Sequence, residues 1–431
     1  NIGAAAGATS GAQLGPQLGV QLKHIPVEGR IAEAWQATGA ESGPLGAAKG
    51  VATLAEDGET LAQKFTGGGI TDHPALGTAV IRSAKLFGDW HRQAALLGPP
   101  RRADTPASAV QLRCERGDLI CSSGGVAHAV VGATLLCHRR HGGVAKVGRP
   151  TGASAVLGAG FTAQRFESGD ILESAEQAFY LPEAFASAWS ARGGALGFLG
   201  LPVADLSPYP RGSVLRFSGG TLVGSPAGVV GLPTRWMDEW VVRLGGPNGS
   251  HGAPVSDVQR SPAGAEWVDF ERGCLVLTAA KQWFAPRGLA VRLGRVASYG
   301  DDGASGNIDL YVHAAIGASI GESFQERLPA TGTFGADAAV DRDLLTIPVA
   351  RGGLRLDLEF AGWDCDKYNL GGGDDDHLGT IHHVLTVDNL WGSDSPGLHR
   401  DRGFSAEYAV KLDLVYDPAK FRENLSWRFK N

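Results

Sequence analysis

The stretch from Trp363 to Gly379 reads WDCDKYNLGGGDDDHLG and sets Asp364, Asp366, Asp374, Asp375 and Asp376 around a single Lys367. A second acidic stretch, SYGDDGASGNIDLYV, carries Asp301, Asp302 and Asp309. Two carboxylates ~5 Å apart repel by roughly 3 kcal/mol at an effective dielectric near 20. Such loops either lie open in water or close around a cation. If both leave the fold at the same edge, eight carboxylates converge. That donor set suits a hard ion with many oxygen ligands and flexible geometry, Ca2+ before Mg2+. Thiol and imidazole are poor ligands for such an ion, so Cys365 and His377 are expected to point elsewhere.

Other chemistry is sparse. The sequence holds no HExxH helix and no phosphate-binding P-loop, and its one GxSxG match, Gly317-Ala318-Ser319-Ile320-Gly321, ends an expected strand with no helix pattern after it and so makes no nucleophile elbow; the chain reads as non-catalytic. Cys137-His138-Arg139-Arg140-His141, with Cys114, Cys121 and His128 upstream, has the residue types for zinc but a spacing that fits no standard finger. A structural part is expected for these residues, with a Cys114–Cys121 disulfide as one form of it. His382 and His383 fall on an expected strand, where successive side chains face opposite ways, so they make a poor metal pair. Five cysteines are an odd number, which leaves at least one free or paired between chains.

The elements that must position the aspartates follow Gly288. VRLGRVASYG, IDLYVHAAIG, DLLTIPVA, LRLDLEFAGW, TIHHVLTVDNLW and AEYAVKLDLVY alternate as strands between Gly/Asp/Asn loops. They predict an antiparallel β-sandwich over 288–418. This region resembles a C2 domain. Asp302…Asp309-Leu310-Tyr311-Val312 is similar to the first calcium loop of that family, and Trp363-Asp364-Cys365-Asp366…Asp376-His377-Leu378-Gly379 to its third. The resemblance implies Asp302, Asp309, Asp364, Asp366 and Asp376 as calcium ligands, with Asp301 and Asp375 at the edge of the site. Leu310 stands where the family usually has Pro, and Gly371-Gly372-Gly373 lengthen the third loop. No Lys-rich strand of the phosphoinositide-binding kind is present, so phospholipid docking is not expected.

Before Gly288 the chain repeats. Gly46, Gly98, Gly148, Gly200 and Gly252 recur at intervals of 52, 50, 52 and 52 residues. A second anchor, led by Phe65, Cys114, Phe166, Phe217 and Phe270, recurs at 49, 52, 51 and 53. A third precedes the glycine in Ile31-x-x-x-Trp35, Phe185-x-x-x-Trp189 and Trp236-x-x-x-Trp240, a spacing that sets both side chains on one helix face. Each unit over 31–287 reads as a short amphipathic helix, a Gly/Pro turn, a variable loop and a hairpin, with these aromatic residues in its core. Asp104, Asp205 and Asp257, just after the Pro, are expected to cap a turn. A unit this small cannot bury its apolar face alone, so the five are expected to pack together, as a closed propeller-like ring rather than an open solenoid.

Leu196-Gly197-Phe198-Leu199-Gly200-Leu201-Pro202 resembles the LGFP repeat, which implies a secreted protein held to a cell wall. The expected fold class is therefore mainly β, a five-repeat ring with short helices followed by a C2-like sandwich. A segment at 1–30 leads in and a tail at 419–431 follows. The chain opens at Asn1, and a processed or larger precursor is expected. The net charge is −6 with 19% charged residues, which advertises no nucleic-acid surface. No apolar run approaches the ~18 residues of a membrane helix. The expected role is an extracellular, calcium-binding attachment protein whose ring meets cell-wall polysaccharide or a surface protein. The alternatives are a self-associating subunit of a fibre or surface layer, and the targeting part of a larger enzyme or toxin.

Overall fold

The computed structural model describes residues 25–101, 103–158, 160–174, 177–298, 310–329, 337–364, 376–393, 397–402 and 404–414. The chain divides into two compact units. One holds the residues up to Arg139 with Gly148–Ser154, the other Arg140–Val147 with everything from Ala155 onward. The expected class, mainly β, stands: small antiparallel sheets dominate both. Among the described residues no closed barrel or propeller is formed.

One motif builds the region before Gly288. A helix opens it, a tight turn follows, and the chain then runs an antiparallel meander that leads straight into the next helix. The first copy comprises α1 (Gly29–Ala37), β1 (Thr53–Leu54), β2 (Leu61–Lys64), β3 (Gly69–His73) and β4 (Gly77–Ile81). The second has α2 (Ala84–His91), α3 (Ala94–Leu97), β5 (Asp104–Thr105), β6 (Gln111–Arg113), β7 (Gly117–Cys121) and β8 (Ala127–Val131). The third has α4 (Gly132–Arg140), β9 (Ala155–Gly158), β10 (Phe161–Phe166), β11 (Gly169–Glu173) and β12 (Ala178–Pro182). The fourth has α5 (Glu183–Ala191), β13 (Ser207–Tyr209), β14 (Gly212–Arg216), β15 (Gly220–Ser225) and β16 (Gly228–Pro233). The fifth has α6 (Thr234–Leu244), β17 (Gln259–Arg260), β18 (Glu266–Phe270), β19 (Gly273–Leu277) and β20 (Trp283–Phe284). The two-residue strands are too short to show alternation, which is why a hairpin was expected where a meander stands.

The spaced glycines have a shared task. Gly46, Gly98, Gly148, Gly200 and Gly252 all lie at φ between 67° and 88°, a left-handed conformation that costs any residue with a Cβ. The carbonyl of each accepts a hydrogen bond from the helix: from Nε1 of Trp35 at 3.0 Å and of Trp90, Trp189 and Trp240 at 2.9 Å each. In the third copy His138 Nε2 takes that place at 3.0 Å. The residue before each glycine, Leu45, Leu97, Val147, Leu199 and His251, is buried. So are Phe65, Cys114, Phe166, Phe217 and Phe270 of the second anchor. The indole thus closes the turn and fills the core at once.

Three of the expected turn caps turn out to join neighbouring copies. Asp257 forms a two-point ion pair with Arg192 at the end of α5, at 2.7 and 2.8 Å, and also accepts from the Gly231 amide at 2.8 Å. Asp205 meets Arg140 at the end of α4, in the repeat before its own, at 3.3 Å. Asp104 pairs with Arg82 at 2.8 and 3.0 Å. The charge spans two repeats, a contact that no reading of one repeat alone shows.

The expected Cys114–Cys121 disulfide does not form; both cysteines are free. Cys114 sits at the turn of the β6–β7 hairpin, where its amide bonds to Gly117 O at 2.8 Å. Cys121 lies four residues further along β7, ~13 Å away at a strand rise of ~3.3 Å per residue. A disulfide needs Cα atoms within ~7 Å. Burial instead pushes the Cys114 thiol well above its ordinary range, as suits a core residue in the Phe position.

After the fifth copy come eight strands: β21 (Pro286–Ser298), β22 (Leu310–Ala318), β23 (Ser323–Pro329), β24 (Asp337–Ile347), β25 (Leu356–Asp364), β26 (Asp376–Leu385), β27 (Gly397–Asp401) and β28 (Phe404–Leu414). They form two four-stranded antiparallel sheets ordered β24-β21-β28-β27 and β23-β22-β25-β26. Between them lie Val291, Leu293, Val312, Ile316, Leu358, Phe360, Trp391 and Phe404, all at most 2% exposed. The expected antiparallel β-sandwich is therefore present. Its core continues into the fifth repeat through Trp267, Cys274 and Val276. Gly352 lies flat on the Trp267 ring, and its amide donates to Asp269 at 2.8 Å.

Candidate metal centre

The rim of the sandwich is set by strand register. Leu310, the first residue of β22, pairs with Asp364, the last of β25, and Asp364 pairs in turn with Asp376, the first of β26. Neighbouring strands run ~4.8 Å apart, so three backbone positions that flank both acidic segments stand side by side at one sheet end. Asp301, Asp302, Asp309, Asp366, Asp374 and Asp375 lie outside the described residues, and Asp364 and Asp376 are described in their backbone alone. Among the described residues no group of three or more His, Cys, Asp or Glu side chains is placed to hold a metal.

Two described side chains stand near this rim, His377 and Asp401. His377 is turned to the sheet: its Nε2 meets Thr380 Oγ1 at 2.8 Å and its ring lies 4.8 Å from that of Trp363. The imidazole thus has partners on its own sheet. One further carboxylate stands close by. Asp401 ends β27, and its Oδ2 accepts the Thr380 amide at 2.9 Å. A Cβ on Gly379 would lie 2.4 Å from the Asp401 carbonyl, so the two strand ends approach closely at this point. Sequence reasoning passed over Asp401, because HRDRGF shows one acid among three basic side chains. The signal was its place at the end of a strand, just before a turn.

The other sequence candidates are packed into the fold. His138 lies in the repeat core, with burial holding its pKa below the ordinary value. His382 and His383 face opposite ways on β26, as their alternation predicts. His382 is exposed, while His383 Nδ1 meets the Tyr408 hydroxyl beside His399, whose ring centre is 4.5 Å away. Burial lowers both His383 and His399 and pushes Tyr408 up to about 12.

No protein-family model matches the chain, and no curated protein matches it. Among solved structures the chain is similar to CC2D1B, described as acting in the mitotic reformation of the nuclear envelope, at 13% identity and a TM-score of 0.22, over 30% of this chain and 62% of that one. It is similar to a C2 domain of a plant extended synaptotagmin 1 at 16% identity and a TM-score of 0.20, over 29% of this chain and 94% of that one. It is also similar to a human GIVD cytosolic phospholipase A2 at 15% identity and a TM-score of 0.20, over 28% of this chain and 16% of that one. Likenesses this slight carry no argument, and the sandwich rests on its own strand order.

Proposed function

We propose that this chain is a non-catalytic, calcium-binding attachment protein of the cell surface. The sandwich, C2-like on the strength of its loop sequences, holds Ca2+ through Asp302, Asp309, Asp364, Asp366 and Asp376, with Asp301 and Asp375 at the edge. The five repeats, LGFP-like, offer their surface to cell-wall polysaccharide or a surface protein. The observation that carries the reading is the register Leu310↔Asp364↔Asp376, which brings the flanks of both acidic segments to one rim. Bound calcium neutralises the repulsion there and joins strands that otherwise end in like charge.

The test is thermal melting of the full chain in EGTA and in millimolar calcium. An ion present at ten times its dissociation constant stabilises the fold by about 1.4 kcal/mol, and the melting temperature rises accordingly. Equal melting in both buffers rejects the calcium reading. Co-sedimentation of the same protein with purified wall polysaccharide tests the attachment role separately.

A further inference from the structure

The second repeat lacks a strand that the other four possess. In those four, β1, β9, β13 and β17, two to four residues long, pair antiparallel with the strand that follows. Their register partners include Thr53↔Ala62, Ala155↔Ala163, Ser207↔Val214 and Gln259↔Trp267. In the second repeat β5 is instead drawn parallel onto β4, with Arg82 clasping Asp104. This leaves β6 as the outer strand of a three-stranded sheet, β6-β7-β8.

Gln111 occupies the place of Ala62, Ala163, Val214 and Trp267. Toward β7, Cys121 N donates to Val110 O and Cys114 N to Gly117 O, both at 2.8 Å. By the alternation of antiparallel bonding, the amide and carbonyl of Gln111 face the other way, out of the sheet edge. At Arg113 the edge is already met by Arg101, whose amide donates to the Arg113 carbonyl at 2.9 Å, so the open part is the Gln111 end, a short template for another chain.

A cavity of about 1060 Å³ runs along this edge, past Ala109, Val110 and Gln111. Arg101, Arg113, Arg116 and Arg139 line it, against a single lining acid, Glu115. Arg139 is paired to the fully buried Asp118 at 2.7 Å, and Arg116 donates to Ala95 O at 2.7 Å. Arg101 and Arg113 have no acidic partner among the described residues, on a chain whose net charge is −6. Leu136, 67% exposed, adds an apolar wall.

We propose that an extended acidic peptide of a partner protein adds to the open edge of β6 as a short antiparallel strand. It takes the position that β1, β9, β13 and β17 fill in the other repeats, and its carboxylates bind Arg101 and Arg113 through charge-assisted bonds. Main-chain bonding supplies the strand, and the guanidinium forks select acid over neutral side chains. The site goes beyond the attachment reading and does not depend on calcium.

The test is fluorescence anisotropy of the full chain with labelled seven-residue peptides alternating Asp or Glu with Val, Ile or Thr. Saturable binding is expected, weakened at least tenfold by Arg101→Ala/Arg113→Ala and by N-methylation of alternate peptide amides. Both arginines are exposed, so the variant is expected to keep its melting temperature. Absence of saturable binding up to about 1 mM overturns the proposal. So does equal binding of the N-methylated, Lys-substituted or neutral peptides, or displacement of the acidic peptide by an acidic polysaccharide alone.

Discussion

His251 stands where Leu45, Leu97, Val147 and Leu199 stand in the other repeats, and like them it is fully buried. Its ring packs on the edge of Phe270, with Ser250 Oγ at 2.9 Å from Nδ1. Burial drives its pKa down from 6.5 to about 4. The depressed value sets the sign: between those two pH values the unfolded chain takes up a proton that the folded chain refuses, so stability falls as pH falls. From pH 8 to pH 5 the loss is roughly 2 kcal/mol. His251→Leu restores the side chain of the other copies, and urea unfolding of that variant should lose this part of the pH dependence. An unchanged slope would show that the histidine is hydrated in the fold. Trp240 carries the complementary prediction. Trp240→Phe keeps most of the packing but leaves the buried Gly252 carbonyl without its donor, a cost of about 1–3 kcal/mol in the denaturation midpoint.

At the level of elements, the repeat was legible because the glycine turn and the aromatic anchor each fix one backbone conformation and one core place. The helix residue was legible at Trp35, Trp189 and Trp240, yet Trp90 and His138 do the same work. Trp90 was obscured by Gly88 in the middle of its helix, and His138 by a run of Cys, His and Arg that looked like a metal site. Contacts between copies were not legible at all, since Arg192 and Asp257 are 65 residues apart. Their pairing supports a contrast between variants. Asp257→Ala removes the two-point pair from a guanidinium that is 17% exposed and keeps only its bonds to the Ala188 and Val229 carbonyls, and leaves the Gly231 amide without this acceptor, which should cost about 1–2 kcal/mol. Asp104→Ala removes a pair that is 34% and 53% exposed, and should cost at most about 1 kcal/mol. Equal losses in chemical denaturation would mean that solvent screens both pairs alike.

Across the whole molecule, the sandwich was written in the alternation of strands such as LRLDLEF, and each expected strand contributes to its two sheets, except that the second half of TIHHVLTVDNLW, Val387 onward, turns into a 3-10 helix. The rim was legible as a conditional: eight carboxylates matter if the two loops share an edge. The register of β22, β25 and β26 meets that condition for the segment ends, while the loops themselves fall outside the described residues. Asp401 was missed because its proximity to Gly379 and Thr380 arises only when β27 turns beside β26. The central claim is calcium at this rim, and calorimetric titration of the full chain with Ca2+ addresses it directly. The account predicts saturable heat, with a dissociation constant on the order of 10⁻⁴–10⁻³ M as in extracellular modules, abolished by Asp364→Asn/Asp366→Asn. Absence of saturable heat at millimolar calcium, or undiminished binding by that variant, would contradict it.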